Sequence, residues 1–198
     1  MSGRYKVIYA DPPWYYHDKR VKHPRLCGGA AAHYPVMRVE DIASMPVKEI
    51  RDDNSILFLW ATFPNLQEAL WVIDAWGFKY RTLGFSWIKL NKKNSKPFFG
   101  IGYYTKSNCE VCLIGVNGSP KIVSNSVSSV VISPRLKHSQ KPAEVRERIV
   151  QLCGDVPRLE LFAREKVPGW DAMGFDIDGK DIRLALAEKI AEIKQVDI

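Results

Sequence analysis

Ile56-Leu57-Phe58-Leu59-Trp60 is a run of five consecutive large apolar residues. A strand sends successive side chains to opposite faces, so an uninterrupted apolar run must be covered on both. Antiparallel sheets with one wet face alternate apolar with polar residues. Parallel strands roofed by helices on either side do not. The run therefore points to the interior of a largely parallel, helix-covered sheet.

The rest of the chain supplies the helices. Tyr5–Ala10 reads as a first strand, and residues 39–50 contain a short helix. Residues 65–76 place Leu66, Ala69, Leu70 and Ile73 at helical spacing, with Gly77 closing the helix. Strands follow around Phe85-Ser86-Trp87-Ile88, over 111–116, at Val130-Val131-Ile132 and at 159–163. Pro142 suits the first turn of a helix running to Cys153, with Gly154 beyond it. From Asp178 an amphipathic helix carries Ile182, Leu186, Ile190 and Ile193 on one side. This alternation predicts an α/β protein, a doubly wound sheet with mixed pairing at its edge, as one domain over residues 1–198. At that length, with 46% apolar residues, a sizeable core is expected.

A formal charge of +7 favours a polyanionic partner. No apolar run approaches membrane-spanning length and no signal-peptide pattern opens the chain, so an intracellular, soluble protein is expected. Cys27, Cys109, Cys112 and Cys153 are too few for a disulfide framework. Cys109-x-x-Cys112 has no second pair to complete a zinc site, and both are expected as reduced thiols. His17, His23, Cys27 and His33 fit no standard zinc spacing, so no metal is expected. Phosphate loops of the GxxxxGK type, GxSxG, HExxH and GxGxxG are absent.

Asp11-Pro12-Pro13-Trp14 follows directly on the first strand. Open α/β sheets bind ligands at their strands' carboxyl ends, where Asp11 falls. Two prolines fix φ and remove two backbone donors, leaving rigid carbonyls free to accept. Trp14 offers a flat face to a base taken out of its stack. These parts suit methyl transfer to the exocyclic amine of a nucleobase. An adenine amine is a poor nucleophile because its lone pair is delocalised. Accepting its hydrogens with a carboxylate and a fixed carbonyl favours the geometry that attacks a methyl sulfonium, and an anion stabilises the developing positive charge. In the loop 91–107, Lys92, Lys93, Lys96 and Lys106 interleave with Phe98, Phe99, Tyr103 and Tyr104. Lysines suit phosphates and aromatics suit unstacked bases. Arg20, Lys22 and Arg25 extend the basic surface.

With these segments in order, the chain resembles the DPPW-type N6-adenine methyltransferases, the family often called MT-A-seventy. Besides the tetrad, the matching segments are His33-Tyr34-Pro35-Val36-Met37, Leu57-Phe58-Leu59-Trp60-Ala61-Thr62, Gly77-Phe78 with Trp87-Ile88-Lys89, Gly102-Tyr103-Tyr104 with Glu110, His138-Ser139-Gln140-Lys141-Pro142, and Leu159 to Arg164 with Gly169-Trp170 and Gly174. The resemblance implies a Rossmann-like sheet with S-adenosylmethionine as methyl donor. It implies that Asp11, Pro12, Pro13 and Trp14 are catalytic, and that Tyr9, Asp11, Lys141, Leu161, Phe162 and Arg164 surround the cofactor. Where many relatives carry an asparagine on the ribose this chain has Phe175, and Asp176 is expected to take that contact. Tyr34, Lys89, Tyr104 and Glu110 would shape the acceptor pocket. DNA is the expected polymer, by likeness to compact phage and bacterial members, and a bacterial or phage-infected cytoplasm the expected location. RNA is the alternative within the class, and a catalytically silent nucleic-acid-binding subunit the alternative outside it. So short a chain leaves little room for a separate target-recognition domain, so modest sequence specificity, a homodimer or a partner subunit is expected.

Overall fold

A computed structural model of the chain describes residues 3–15, 36–100, 102, 104–135 and 140–196. Its strands are β1 (Tyr5–Ala10), β2 (Arg51–Ala61), β3 (Lys79–Leu90), β4 (Cys109–Asn117), β5 (Val130–Pro134), β6 (Arg158–Leu161) and β7 (Asp171–Met173). Its helices are α1 (Val39–Ala43), α2 (Leu66–Ala75), α3 (Glu144–Cys153), α4 (Phe175–Asp178) and α5 (Ile182–Val196). The strands form one sheet in the order β5-β3-β4-β2-β1-β6-β7.

β1 runs parallel to both β2 and β6, β6 to β7, and β3 to β5. β4 runs antiparallel to β2 and β3. Mixed pairing was expected at an edge, yet β4 lies inside the sheet. The cause is the connection: among the described residues no helix follows β3, and the chain turns back to lay β4 beside the strand it has just left.

The run at 56–60 is buried on both faces, as its composition demands. Leu57, Leu59 and Ala61 join Ile8 and Ala10 in one core, roofed by Ile42 of α1, Val72 and Ile73 of α2, and Leu186 and Ile193 of α5. Ile56, Phe58 and Trp60 join Val7 and Tyr9 in a second core, under Val145, Ile149 and Cys153 of α3. Each fully buried Leu, Ile or Phe side chain contributes about 1.5–3 kcal/mol. These two layers hold the carboxyl ends of β1, β2 and β6 in fixed register.

Two elements carry no readable pattern in the sequence. β7 has three residues and α4 four, too few to show a periodicity. The helix expected from Asp178 starts instead at Ile182, because Gly179 adopts a left-handed φ of 75° and ends α4. Cys109, Cys112 and Cys153 are free thiols. Cys109 and Cys112, three apart on β4, point to opposite faces of the sheet. The histidines and cysteine at 17, 23, 27 and 33 lie outside the described residues. Among the described residues no helix is long and apolar enough to cross a membrane.

Candidate active site

Three parallel strands deliver residues to one edge of the sheet. Asp11 follows β1, Thr62 follows β2 and Phe162 follows β6. β4 runs the other way, so it begins at this edge and brings Glu110 there. The chain order reverses between β1 and its two parallel neighbours, the place where open α/β sheets form a crevice. A pocket of about 600 Å3 opens at that point, with Asp11, Pro12, Pro13, Trp14, Met37, Trp60, Glu110, Lys141, Phe162, Arg164, Phe175, Asp176 and Asp181 on its walls. A smaller cavity of about 310 Å3 beside Tyr5, Asp155 and Arg158, at the other end of β1, holds none of the tetrad.

Within the tetrad the prolines make a tight turn. The Trp14 amide donates to the Pro12 carbonyl at 2.9 Å, and the Met37 amide to the Pro13 carbonyl at 2.8 Å. The sequence leaves both carbonyls free, whereas the structure gives each an internal partner. A carbonyl oxygen has two lone pairs, so one remains on Pro12 for an outside donor. Trp14 is 5% exposed and its indole N–H donates to the Trp60 carbonyl at 3.0 Å. It is a wall of the pocket and not a free-standing platform.

Asp11 sits at the end of a chain of alternating charges. Lys141 Nζ donates to Asp11 Oδ1 at 2.6 Å and lies 3.3 Å from Glu110 Oε2. Lys89 Nζ makes a short hydrogen bond to Glu110 Oε1. Lys141 also lies over the Trp60 ring, 5.4 Å from its centroid. Burial lifts the Asp11 carboxyl above its usual range and Glu110 adds to the lift, with Lys141 opposing both. Burial pushes Glu110 the same way, but Lys141 and Lys89 outweigh it and hold that carboxyl below its usual range. Burial disfavours the Lys141 ammonium, yet Asp11 and Glu110 more than restore it. Lys141 is thus a fixed positive charge between two carboxylates.

The opposite wall is built by the end of β6. Phe162 has φ of 61°, a left-handed conformation that costs a non-glycine residue free energy and here turns 162–164 into the pocket. Gly174 packs against this turn so closely that a Cβ would lie 2.2 Å from the Ala163 carbonyl oxygen. Only glycine fits there.

Of the residues expected from sequence, the pocket gathers Asp11, Pro12, Pro13, Trp14, Glu110, Lys141, Phe162, Arg164 and Asp176. It does not gather four others. Tyr9 is buried in the second core, its hydroxyl accepting from Trp60 Nε1 at 2.7 Å. Leu161 is buried in the first core. Both lie within their strands, where the pleat commits each side chain to the layer above or below the sheet. Lys89 is not on the pocket wall and reaches it only through Glu110. Tyr104 is 93% exposed. Tyr34, Tyr103, His138 and Ser139 lie outside the described residues. Trp60 and Asp181 join the pocket without having been expected there. A tryptophan closing an apolar strand was the available signal for the first, whereas Asp181 fell inside the helix expected from Asp178 and carried none.

In the loop 91–107, Lys92, Lys93, Lys96 and Lys106 are exposed, as are Phe99 and Tyr104. Phe98 is taken up internally: Arg135 stacks on its ring at 3.4 Å, and its amide donates to the Lys89 carbonyl at 2.7 Å.

A doubly wound sheet carrying an acidic Pro-Pro turn and a charged, aromatic-walled pocket at its carboxyl edge defines a ligand-binding α/β class. Comparison with known proteins gives the family: MT-A70 matches residues 5–176. The chain belongs to the MT-A70 family. It is 31% identical to the Type II methyltransferase M.MunI of Mycoplasma sp, over 96% of this chain and 85% of that protein. It is 27% identical to the N(6)-adenosine-methyltransferase catalytic subunit METTL3 of Homo sapiens over 98% of this chain, and to the N(6)-adenosine-methyltransferase MT-A70-like protein of Arabidopsis thaliana over 90%. It spans 32% and 24% of those two longer proteins.

Proposed function

We propose that this chain transfers the methyl group of S-adenosylmethionine to the N6 amine of adenine in DNA. The observation that carries the reading is Asp11, fixed at the end of β1 with one carboxylate oxygen on Lys141, beside a pocket of about 600 Å3. Likeness to a Type II methyltransferase over most of both chains supports DNA as the polymer and a bacterial cytoplasm as the setting.

The pocket's chemistry fits the methyl donor. Phe162 and Phe175 supply apolar wall for an adenine, and Asp176 an acceptor for ribose hydroxyls. Arg164 and Lys141 supply cations for the amino-acid carboxylate. S-adenosylmethionine, when bound, supplies a methyl group on a sulfonium whose sulfur departs as a neutral thioether.

The chain's own residues prepare the acceptor. Asp11 Oδ1 is held by Lys141, which leaves Oδ2 to accept one hydrogen of the amine. The remaining Pro12 lone pair accepts the other. Together they favour a pyramidal nitrogen whose lone pair is released from the ring, and the carboxylate stabilises the positive charge that develops on it. Trp14, backed by Trp60, closes the pocket against water and limits the base's orientations. The exposed lysines at 92, 93, 96 and 106 hold the phosphates while Phe99 and Tyr104 offer faces to neighbouring bases.

RNA is the second reading, favoured by relatives named for adenosine, a ribonucleoside. One experiment separates the readings. Labelled methyl transfer is measured on matched DNA and RNA, single- and double-stranded, followed by nucleoside analysis. N6-methyldeoxyadenosine supports the proposal, and N6-methyladenosine in RNA alone replaces it with the second reading. No transfer, with no binding of S-adenosylmethionine, points to a silent nucleic-acid-binding subunit.

A further inference from the structure

We propose that Lys89 is a positioning residue for Asp11, acting at two removes by keeping Glu110 from capturing Lys141. The inference rests on the reading of Asp11 as acceptor of the adenine amine and deepens it.

Lys141 faces two carboxylates, and an ammonium so placed divides between them according to their charge and reach. It sits closer to Asp11, at 2.6 Å, than to Glu110, at 3.3 Å. Burial alone does not dictate that preference, since both carboxylates are largely buried. What differs is that Glu110 is already engaged. Lys89 is bound to Oε1 and offsets part of the carboxylate's charge, while Lys141 meets Oε2.

Lys89 is well placed for the task. Its amide donates to the Asn108 carbonyl at 2.9 Å, and its carbonyl accepts from the Phe98 amide at 2.7 Å, so the backbone is fixed on both sides. Its ammonium lies over the Trp87 ring, 5.1 Å from the centroid, and Trp87 pairs across the ladder with Glu110. Lys89 contributes no atom to the pocket wall, so a direct role in holding substrate does not account for this arrangement.

Without Lys89, Glu110 keeps a single cation partner. Lys141 then shifts toward Glu110, Asp11 Oδ1 loses its holder, and the carboxylate turns away from the amine. The groups facing Glu110 are Lys89 from β3, Lys141 from the segment before α3, and Asp11 from the end of β1.

The test compares K89M, K89R, E110Q and K89M/E110Q. In K89M, kcat is expected to fall about tenfold through misplacement of the reacting groups. K89R restores kcat. In the E110Q background K89M has no further effect, because the route through Glu110 is gone. Carboxyl 13C NMR titration of the same variants reads the ladder independently of turnover: K89M is expected to move the Glu110 and Asp11 titrations upward together. An Asp11 titration unmoved in K89M overturns the inference, and so does a K89M defect of equal size with and without Glu110. If the unaltered protein transfers no methyl group at all, the assigned reaction fails, while the NMR titration still decides whether Lys89 sets the position of Lys141.

Discussion

Lys141 Nζ lies 2.6 Å from Asp11 Oδ1, a hydrogen bond between residues 130 positions apart. It joins the end of β1 to the segment entering α3, on which the second core is built. The ammonium orients the carboxylate and offsets part of the cost of burying it.

Asp11→Asn keeps the shape of the side chain and removes its charge. Methyl transfer is expected to fall by about 10²–10³-fold, the scale of losing one preorganised electrostatic group. Binding of S-adenosylmethionine, followed by calorimetry, should change far less. Near-normal turnover in this variant would remove Asp11 from the mechanism.

Lys141→Met leaves Asp11 and Glu110 facing each other, with Lys89 on Glu110 and the Arg164 charge acting on Asp11 to compensate in part. Breaking a buried ion pair from one side costs about 3–5 kcal/mol. Urea unfolding at neutral pH should show a loss of that order, smaller at acid pH where the carboxyls take up protons. A loss that does not depend on pH would mean that packing against Trp60 dominates.

The acid limb of the stability curve should carry the Glu110 signature. Its carboxyl is held below the usual range in the folded protein, chiefly by Lys141 and Lys89 against the effect of burial. A depressed carboxyl stabilises the fold above its unfolded value, about pH 4.3, and that contribution is lost as pH falls through the lower folded value. Asp11, lifted by burial, works in the opposite sense. Glu110→Gln should therefore flatten the fall in thermal midpoint below about pH 4.3. An unchanged slope would show that Glu110 does not titrate in that window.

Tyr9→Phe and Trp60→Phe each break the 2.7 Å hydrogen bond between the indole N–H and the tyrosine hydroxyl, both buried. Each orphaned polar group costs about 1–3 kcal/mol. Tyr9→Phe should lower stability by that amount with cofactor affinity nearly unchanged, since the hydroxyl points into the second core. In the double variant the losses should add to less than their sum. A Tyr9→Phe protein of normal stability that binds the cofactor poorly would return Tyr9 to the pocket.

Replacing Lys92, Lys93 and Lys96 by Gln should weaken nucleic-acid binding and make its salt dependence shallower. On duplex DNA the logarithmic slope is expected to drop by about 0.9 for each phosphate that a lysine no longer neutralises. Arg135 and Phe98 are left in place to keep the loop docked. Fluorescence anisotropy across a salt series reads the slope directly. A slope identical to that of the unaltered chain would mean the lysines are only solvated.

Local pattern was enough for much of this protein. The unbroken apolar run at 56–60 required two covered faces, and the spacing of Leu66, Ala69, Leu70 and Ile73 required a helix. Asp11 could be placed at a strand's end because the strand and the Pro-Pro turn are contiguous. These are short-range constraints, set by backbone geometry and side-chain burial. The third dimension decided which charges meet. Lys141 could be expected near the cofactor, but its pairing with Asp11 and Glu110 depends on β4 running antiparallel inside the sheet, which brings Glu110 to the carboxyl edge. The same packing sends the Tyr9 hydroxyl to Trp60 and sets Lys89 behind Glu110 instead of in the pocket. Chain spacing carries no record of such pairings, because Coulomb and hydrogen-bond partners are chosen by distance after the layers have closed.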